Sequence, residues 1–478
     1  MERLKTDVAI IGAGSAGMRA YREAVKHTDA VLLIEDGPYG TTCARVGCMP
    51  SKLLIAAAEA AHAGSQTGVM GVHYAPPTID GKAVMGRLRS ERDRFVGFVN
   101  EAVEAWPDAH RIRARARFRS DRELELSDGR IVDTKTSIIA TGSRPNVPAF
   151  FEAFGDRLIV NDDVFSWTEL PGSVAVFGAG VIGLELGQAL HRLGVKVSLF
   201  GRDRRVGPLT DPEVLDVANG LFAADFDFRP HADVTNHRRT EQGIAIDLSV
   251  DGRAETREFD VALIATGRRP NVDRLGLENT SLCLDERGVP EHDLFTGQCG
   301  EAPIFIAGDA NNAVPLLHEA ADEGMTAGFN AARYPDIRRI AKSAPISVVF
   351  SDPQIMMIGA SHRELTEAGT VFEVGAVDWS DQGRARVMGQ NRGLLRVYGE
   401  RDTGLFLGAE MVGPRAEHLA HLLAWSVQSR LTVSEMLERP FYHPVIEEGV
   451  RTALRMLNYH LQMGEMPPAR CIDCGPGG

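Results

Sequence analysis

The run Val8-Ala9-Ile10-Ile11-Gly12-Ala13-Gly14-Ser15-Ala16-Gly17 stands near the start of the chain and has a second copy, Val174-Ala175-Val176-Phe177-Gly178-Ala179-Gly180-Val181-Ile182-Gly183. In each copy an unbroken apolar run reads as a buried parallel strand, spaced glycines follow, and a helical stretch comes next. In the second copy that stretch is Leu184 to Leu193. Each glycine has its own task. The first (Gly12, Gly178) permits a tight turn, the second (Gly14, Gly180) lets a pyrophosphate approach the backbone, and the third (Gly17, Gly183) allows close helix–strand packing. The helix start then offers unpaired N–H groups and a positive dipole end to phosphate. A further repeat strengthens the case: Ala140-Thr141-Gly142-Ser143-Arg144-Pro145-Asn146 returns as Ala265-Thr266-Gly267-Arg268-Arg269-Pro270-Asn271. Two dinucleotide sites are implied.

The sites differ at one position. Eighteen residues after Gly17, at the end of Val31-Leu32-Leu33-Ile34, stands Glu35, where a carboxylate can hold both hydroxyls of an adenosine ribose. Eighteen residues after Gly183 stands Gly201, followed by Arg202-Asp203-Arg204-Arg205. An absent acid beside arginines suits a 2′-phosphate, which guanidinium groups bind through paired donors. FAD is therefore assigned to the first site and NAD(P) to the second, with NADP favoured over NAD by Gly201 and Arg202. The other reading of those arginines is a solvated turn.

Between Glu35 and the next helix lies Tyr39-Gly40-Thr41-Thr42-Cys43-Ala44-Arg45-Val46-Gly47-Cys48-Met49-Pro50-Ser51-Lys52. Two cysteines five apart near a helix start can close a small, readily reduced ring, with thiolate favoured by the helix dipole and any nearby cation. Pro50 fits an early helical turn, and Lys52 projects from the same end. Half a zinc site is the competing reading, but no CxxC or HxxxH lies beside the pair, so no metal site is expected.

At this point the chain resembles the pyridine nucleotide–disulfide oxidoreductases, most closely their dihydrolipoyl dehydrogenases. The resemblance covers nearly the whole length. It takes in both glycine fingerprints, CxxxxC with Pro-Ser-Lys, both Ala-Thr-Gly segments, Ile304-Phe305-Ile306-Ala307-Gly308-Asp309 and His443-Pro444-Val445-Ile446-Glu447-Glu448. It implies that Cys43 is the interchange thiol and that Cys48 lies against the flavin. Lys52 should pair with Glu185 near flavin N5, and Asp309 should bind near the ribityl and pyrophosphate groups. His443 is implied to be the catalytic base, oriented by Glu448 and supplied by the other subunit of a homodimer. A thiol nucleophile does need a base of near-neutral pKa, and such a base needs a carboxylate to fix its tautomer. The chain departs from the family pattern at Thr41, Ala44-Arg45, Val445 and Gly201, positions that bear on substrate and nucleotide choice.

The fold class expected is α/β: two Rossmann-like dinucleotide-binding domains plus a C-terminal α+β dimerisation domain. Residues 1–150 and 271–342 read as the FAD domain, interrupted by an NAD(P) domain at 151–270, with residues 343–478 as the interface domain and tail. Within the last, Ile346-Ser347-Val348-Val349-Phe350 and Leu394-Leu395-Arg396-Val397-Tyr398 look like strands, and Ala416 to Gln428 like a helix. The alternating stretch Arg111-Ile112-Arg113-Ala114-Arg115-Ala116-Arg117 reads as the exposed face of an antiparallel strand. With a formal charge of −13 over 478 residues, nucleic acid and anionic membranes are not expected partners. No run approaches the ~18 apolar residues of a membrane span. A cytoplasmic location is expected, because the strand-like start leaves no room for a signal peptide.

The reaction expected is oxidation of a dihydrolipoyl group on a partner protein, with electrons passing through Cys43/Cys48 and FAD to NAD(P)+. The alternative is a reductase of another disulfide or a metal ion, of mercuric-, thioredoxin- or glutathione-reductase type. It would use the pair Cys471/Cys474, whose own alternative is an idle tail. A reading of another class is a non-catalytic, redox-sensing flavoprotein. The complete set of Cys43/Cys48, Lys52 and His443/Glu448 argues against it, since a binding module needs none of them.

Overall fold

The computed structural model describes residues 2–250 and 253–462; Cys471 and Cys474, the thiol pair of the alternative reading, lie outside the described residues. The chain divides into two compact units. One comprises Met1–Ser51, Gly86–Asn146 and Gly267–Lys342; the other comprises Lys52–Met85, Val147–Thr266 and Ser343–Gly478.

In the first unit the strand Arg3–Ile11 lies between Val31–Glu35 and Ile131–Ile139, all parallel, with Arg111–Arg113 and Ile304–Ile306 outside them. The unbroken apolar run 8–11 is explained by burial on both faces. Val8 and Ile10 join one core with Ala16, Ala20 and Ala327, while Ala9 and Ile11 join another with Phe118, Leu124 and Val132. The crevice at the carboxyl ends of the central strands, where strand order reverses, is where such sheets bind ligands.

The basic stretch at 111–117 is not a single antiparallel strand. Arg111–Arg113 runs parallel to Val31–Glu35, the chain breaks, and Ala116–Ser120 pairs antiparallel with Glu123–Leu126. The period-two burial survives the break: Ile112, Ala114 and Ala116 are buried and the arginines line the other side. Those arginines are paired, Arg115 with Asp36 and Arg117 with Glu278, while Arg113 lies over the Tyr39 ring.

In the second unit a parallel sheet centres on Ser173–Phe177, flanked by Lys196–Phe200 and Val261–Ile264. It repeats the arrangement of the first. An antiparallel sheet follows in the order Ile346–Val349, Gln354–Gly359, Phe406–Gly413, Leu394–Glu400, Phe372–Asp378. Helices Ala416–Gln428 and Glu447–Leu461 close its core around the fully buried Trp379. The expected helix at Ala416–Gln428 and both expected strands are present. The first strand ends at Val349, because the Phe350 N–H leaves the sheet and donates to Glu185.

Glu410 ties this antiparallel sheet to the nucleotide half of the same unit. It is wholly buried and accepts from the Thr210 and Asp211 N–H groups at 2.6 and 2.9 Å and from the His362 N–H at 2.9 Å. Among the described residues, no helix is long and apolar enough to cross a membrane.

Candidate redox site and nucleotide turns

Both glycine turns are built alike. Gly12 has φ +108° and Gly178 φ +111°, a region that side chains rarely adopt. Helices Ser15–Ala24 and Val181–Arg192 begin directly after Gly14 and Gly180. A methyl placed on Gly14 or Gly180 would meet nothing within 4 Å, so space over each turn is open. Gly17 and Gly183 leave none: a Cβ at either would lie 1.8 Å from the carbonyl oxygen of Gly12 or Gly178.

At the end of its strand Glu35 turns back on the first loop, accepting from the Ala13 and Gly37 N–H groups at 2.7 Å each. The repeated Ala-Thr-Gly segments come together as an antiparallel pair, Ser143–Pro145 with Arg268–Pro270. They are tied symmetrically: Asn146 donates to the Gly267 carbonyl and Asn271 to the Gly142 carbonyl, both at 2.9 Å. Ser143 donates to Asp309 at 2.6 Å and accepts from Arg268 at 2.7 Å. The Thr141 hydroxyl is buried with no hydrogen-bond partner among the described residues. An orphaned hydroxyl beside an open phosphate turn fits a bound dinucleotide such as FAD.

Cys43 sits in the short helix Thr42–Val46, and Cys48 opens the helix Cys48–Ala63. Gly47 makes the break between them, so a single helix start is replaced by two. Thr41 caps the first helix, its hydroxyl accepting from the Ala44 N–H at 3.2 Å. It does so at φ +56°, ψ 154°, a strained conformation for a β-branched residue, and strain of this kind collects at functional sites. A hydrogen bond to Cys48 holds the Cys43 thiol well above the usual thiol range, and burial adds to it. A thiol raised in this way is a poor nucleophile unless a base assists it.

In the second unit Lys52 and Glu185 form an ion pair, Nζ lying 2.8 and 2.7 Å from the two carboxylate oxygens. Glu185 is 4% exposed, and the Phe350 ring lies 4.5 Å from the ammonium. His443 Nδ1 is 2.8 Å from Glu448 Oε1, and Glu448 Oε2 accepts from the Val445 N–H at 2.9 Å. The His443 side chain is 66% exposed while Glu448 is buried. The ring is therefore braced at one nitrogen and presents the other away from its own carboxylate.

At the second nucleotide turn Arg202 is 92% exposed and, among the described residues, forms an ion pair only with its neighbour Asp203, while Arg204 is paired with Asp216 at 2.7 Å. Gly201 is crowded: a Cβ there would lie 3.0 Å from both Cα and O of Pro230. Residues not singled out from sequence are Ser143, Arg268 and Glu323. Glu323 accepts from the Gly308 N–H at 2.9 Å and so anchors the turn that carries Asp309. The two Ala-Thr-Gly repeats were signal enough for Ser143 and Arg268; nothing local marks Glu323.

A glycine turn made twice and a pair of neighbouring thiols are the features of a nucleotide-linked disulfide oxidoreductase. The chain belongs to the pyridine nucleotide-disulphide oxidoreductase family, whose profile matches residues 6–324, and residues 346–454 match that family's dimerisation domain. Such proteins are enzymes that use FAD and NAD(P). The chain is 30% identical over 465 residues to dihydrolipoyl dehydrogenase 2 of Haloarcula marismortui, covering 94% of this chain and 96% of that one. It is also 30% identical over 464 residues to the mercuric reductase of Shigella flexneri, covering 94% of this chain and 80% of the other. The crystal structure of LpdA from Mycobacterium tuberculosis shares the fold, with a TM-score of 0.78 at 23% identity, covering 95% of this chain and 99% of that one. The expected fold class and family are thereby shown, and the reading as a non-catalytic sensor is set aside.

Proposed function

We propose that the enzyme oxidises a protein-bound dihydrolipoyl dithiol and delivers the two electrons through Cys43/Cys48 and FAD to NAD(P)+. The observation that carries this reading is the contrast between two groups. The hydrogen bond to Cys48, with burial, pushes the Cys43 thiol up, and an exposed histidine is braced by a buried carboxylate. A substrate thiolate attacks the Cys43 sulfur, breaks the Cys43–Cys48 bond and forms a mixed disulfide. The second substrate thiol gives its proton to His443 and attacks its own partner sulfur, releasing Cys43. The substrate leaves as a cyclic disulfide; His443 returns the proton to Cys43, Cys48 stays a thiolate, and the two electrons rest on this reduced pair. Bound FAD supplies the two-electron carrier between this dithiol and the nicotinamide.

In this reading residues 1–150 and 271–342 hold FAD through Gly12, Gly14, Gly17, Glu35, Thr141, Gly142 and Asp309. Residues 151–270 hold NAD(P) through Gly178, Gly180, Gly183, Arg202 and Gly267. Lys52 and Glu185 lie beside the flavin, and residues 343–478 form the interface of a cytoplasmic homodimer, so that the base is His443 of the partner subunit. The equal identity to a mercuric reductase supports a second reading, reduction of a metal ion or another disulfide.

Steady-state assays with dihydrolipoamide, glutathione disulfide, thioredoxin and mercuric ion, each with NAD(H) and NADP(H), separate the two. Dihydrolipoamide should be turned over fastest, and His443→Gln should lower that rate by roughly 10²-fold, the size of a general-base contribution. Faster turnover of mercuric ion would replace the first reading with the second.

A further inference from the structure

The Lys52–Glu185 pair is fixed from behind by a short backbone segment. Glu185, Gln188 and Arg192 stand three and four residues apart on the helix Val181–Arg192, a spacing that puts them on one face. All three grip residues 350–352. Glu185 accepts from the Phe350 N–H at 3.0 Å. Gln188 holds both backbone groups of Asp352: its Oε1 accepts from the N–H and its Nε2 donates to the carbonyl, each at 2.8 Å. Arg192, 4% exposed, donates to the Asp352 carboxylate at 2.9 Å. That carboxylate also meets Gln66 at 3.3 Å and Arg392 at 3.5 Å. Burial pushes it up, but Arg192 and Arg392 outweigh the burial and hold it below the usual carboxylate range.

From this arrangement we propose that Gln188 is a positioning residue that sets the place of the Lys52 ammonium by clamping the backbone of residues 350–352. The proposal rests on the reading that Lys52 lies beside the flavin. An ammonium on a four-carbon stem is mobile, and Lys52 is 35% exposed, so its neighbours must supply the constraint. Phe350 supplies two: its N–H fixes the rotation of the Glu185 carboxylate, and its ring offers the ammonium a cation–π face. Phe350 lies just beyond the strand Ile346–Val349, where the sheet no longer holds it. What holds the chain there is the two-way amide contact two residues on, to which Arg192 adds a longer bond to the same Asp352 carbonyl at 3.4 Å. Buried Arg192 also joins Asp225 and the part-exposed Asp352 carboxylate in an ionic group beside the clamp. Among the described residues the Gln188 side chain bonds Asp225 and the Asp352 backbone, with no direct hydrogen bond to the Glu185 carboxylate or the Lys52 ammonium.

The test compares variants of the FAD-bound enzyme by flavin midpoint potential and by hydrogen exchange at the Phe350 amide. A fixed ammonium stabilises the electron-rich reduced flavin, so loosening it makes the potential more negative. Gln188→Leu should change the two-electron reduction equilibrium about tenfold, roughly 30 mV, and speed exchange at Phe350 by a similar factor. Gln188→Asn, which keeps the amide one methylene short of its partners, should shift both in the same direction and serves if the leucine variant does not fold. Asp352→Asn keeps the clamped backbone groups, so it should lower thermal stability and leave potential and exchange near wild type. That separates positioning from a merely structural role. Wild-type values for both Gln188 variants, with the potential of Lys52→Met shifted, would overturn the clamp alone. A wild-type potential in Lys52→Met would overturn the reading beneath it and the proposal with it.

Discussion

At Gly12 an added Cβ would lie 2.3 Å from the Ala140 carbonyl oxygen, and at Gly178 it would lie 2.4 Å from that of Ala265. The two turns forbid the same thing by the same contact, and the space above both is open. They part at the next strand. Glu35 folds back and takes two backbone N–H groups, whereas Gly201 is pressed against Pro230 and leaves the turn to Arg202–Arg205. In the reading proposed above, phosphate binding comes from backbone geometry and is repeatable, while recognition of the adenosine comes from one side-chain position and is free to differ. A carboxylate cannot be added at 201 without moving Pro230, so nucleotide preference has to be adjusted through the arginines.

The strongest way to break this symmetry is to remove one turn at a time. Alanine at Gly12 or Gly178 faces both a carbonyl and a positive φ, a local cost on the order of 4 kcal/mol or more. Gly12→Ala should purify without the flavin absorbance band. Gly178→Ala should keep that band and lose reduction by NAD(P)H. The opposite result would exchange the two assignments.

A smaller effect is expected at Glu35. Glu35→Ala removes the acceptor of two N–H groups and the ribose carboxylate, so FAD affinity should fall by about 1.5–3 kcal/mol, the range for hydrogen bonds to charged groups. Dissociation of FAD followed by fluorescence measures it, and an unchanged KM for NAD(P)H confines the change to the first site.

Arg202→Ala should cost NADP(H) about 1.5 kcal/mol, the lower end of the same range, because the side chain is exposed and screened. It should leave NAD(H) unchanged. Arg204→Ala should do less, since its guanidinium is already paired with Asp216. Equal use of NAD(H) and NADP(H) by the wild-type enzyme would return these arginines to the status of a solvated turn.

The smallest effect concerns the loops that follow the two strands. Each contains side-chain residues at positive φ: Thr41 in one, Asp203 and Arg204 in the other. Asp is among the residues that tolerate positive φ in the left-handed helical region, whereas Thr41, at ψ 154°, lies in a region nearly confined to glycine. Thr41→Gly should therefore raise thermal stability by about 1 kcal/mol, strain relief exceeding the lost cap and added chain entropy. Asp203→Gly should change it by only a few tenths. A melting curve for each variant checks the pair.

The sequence by itself determined the two dinucleotide turns, because GxGxxG after an apolar run has few backbones open to it, and alternatives are excluded locally by Cβ–carbonyl collisions. The cysteine pair was legible for a similar reason, since its members stand five residues apart at a helix start, whereas the His443/Glu448 pair, also five apart, was implied by the family resemblance. Arg111–Arg117 shows the limit. Its period-two burial was readable, but which neighbours it pairs with is settled by strands elsewhere, and it divides between a parallel and an antiparallel partner. The Lys52–Glu185 contact joins residues 133 apart, and only knowledge of the family suggested it. Gln188 and Asp352, Glu323 and Gly308, and Glu410 with Thr210 were decided by the tertiary structure alone. In each a side chain satisfies a backbone N–H in a distant loop. Backbone donors are the same at every residue, so nothing in the amino-acid order marks which one a buried carboxylate or amide will meet.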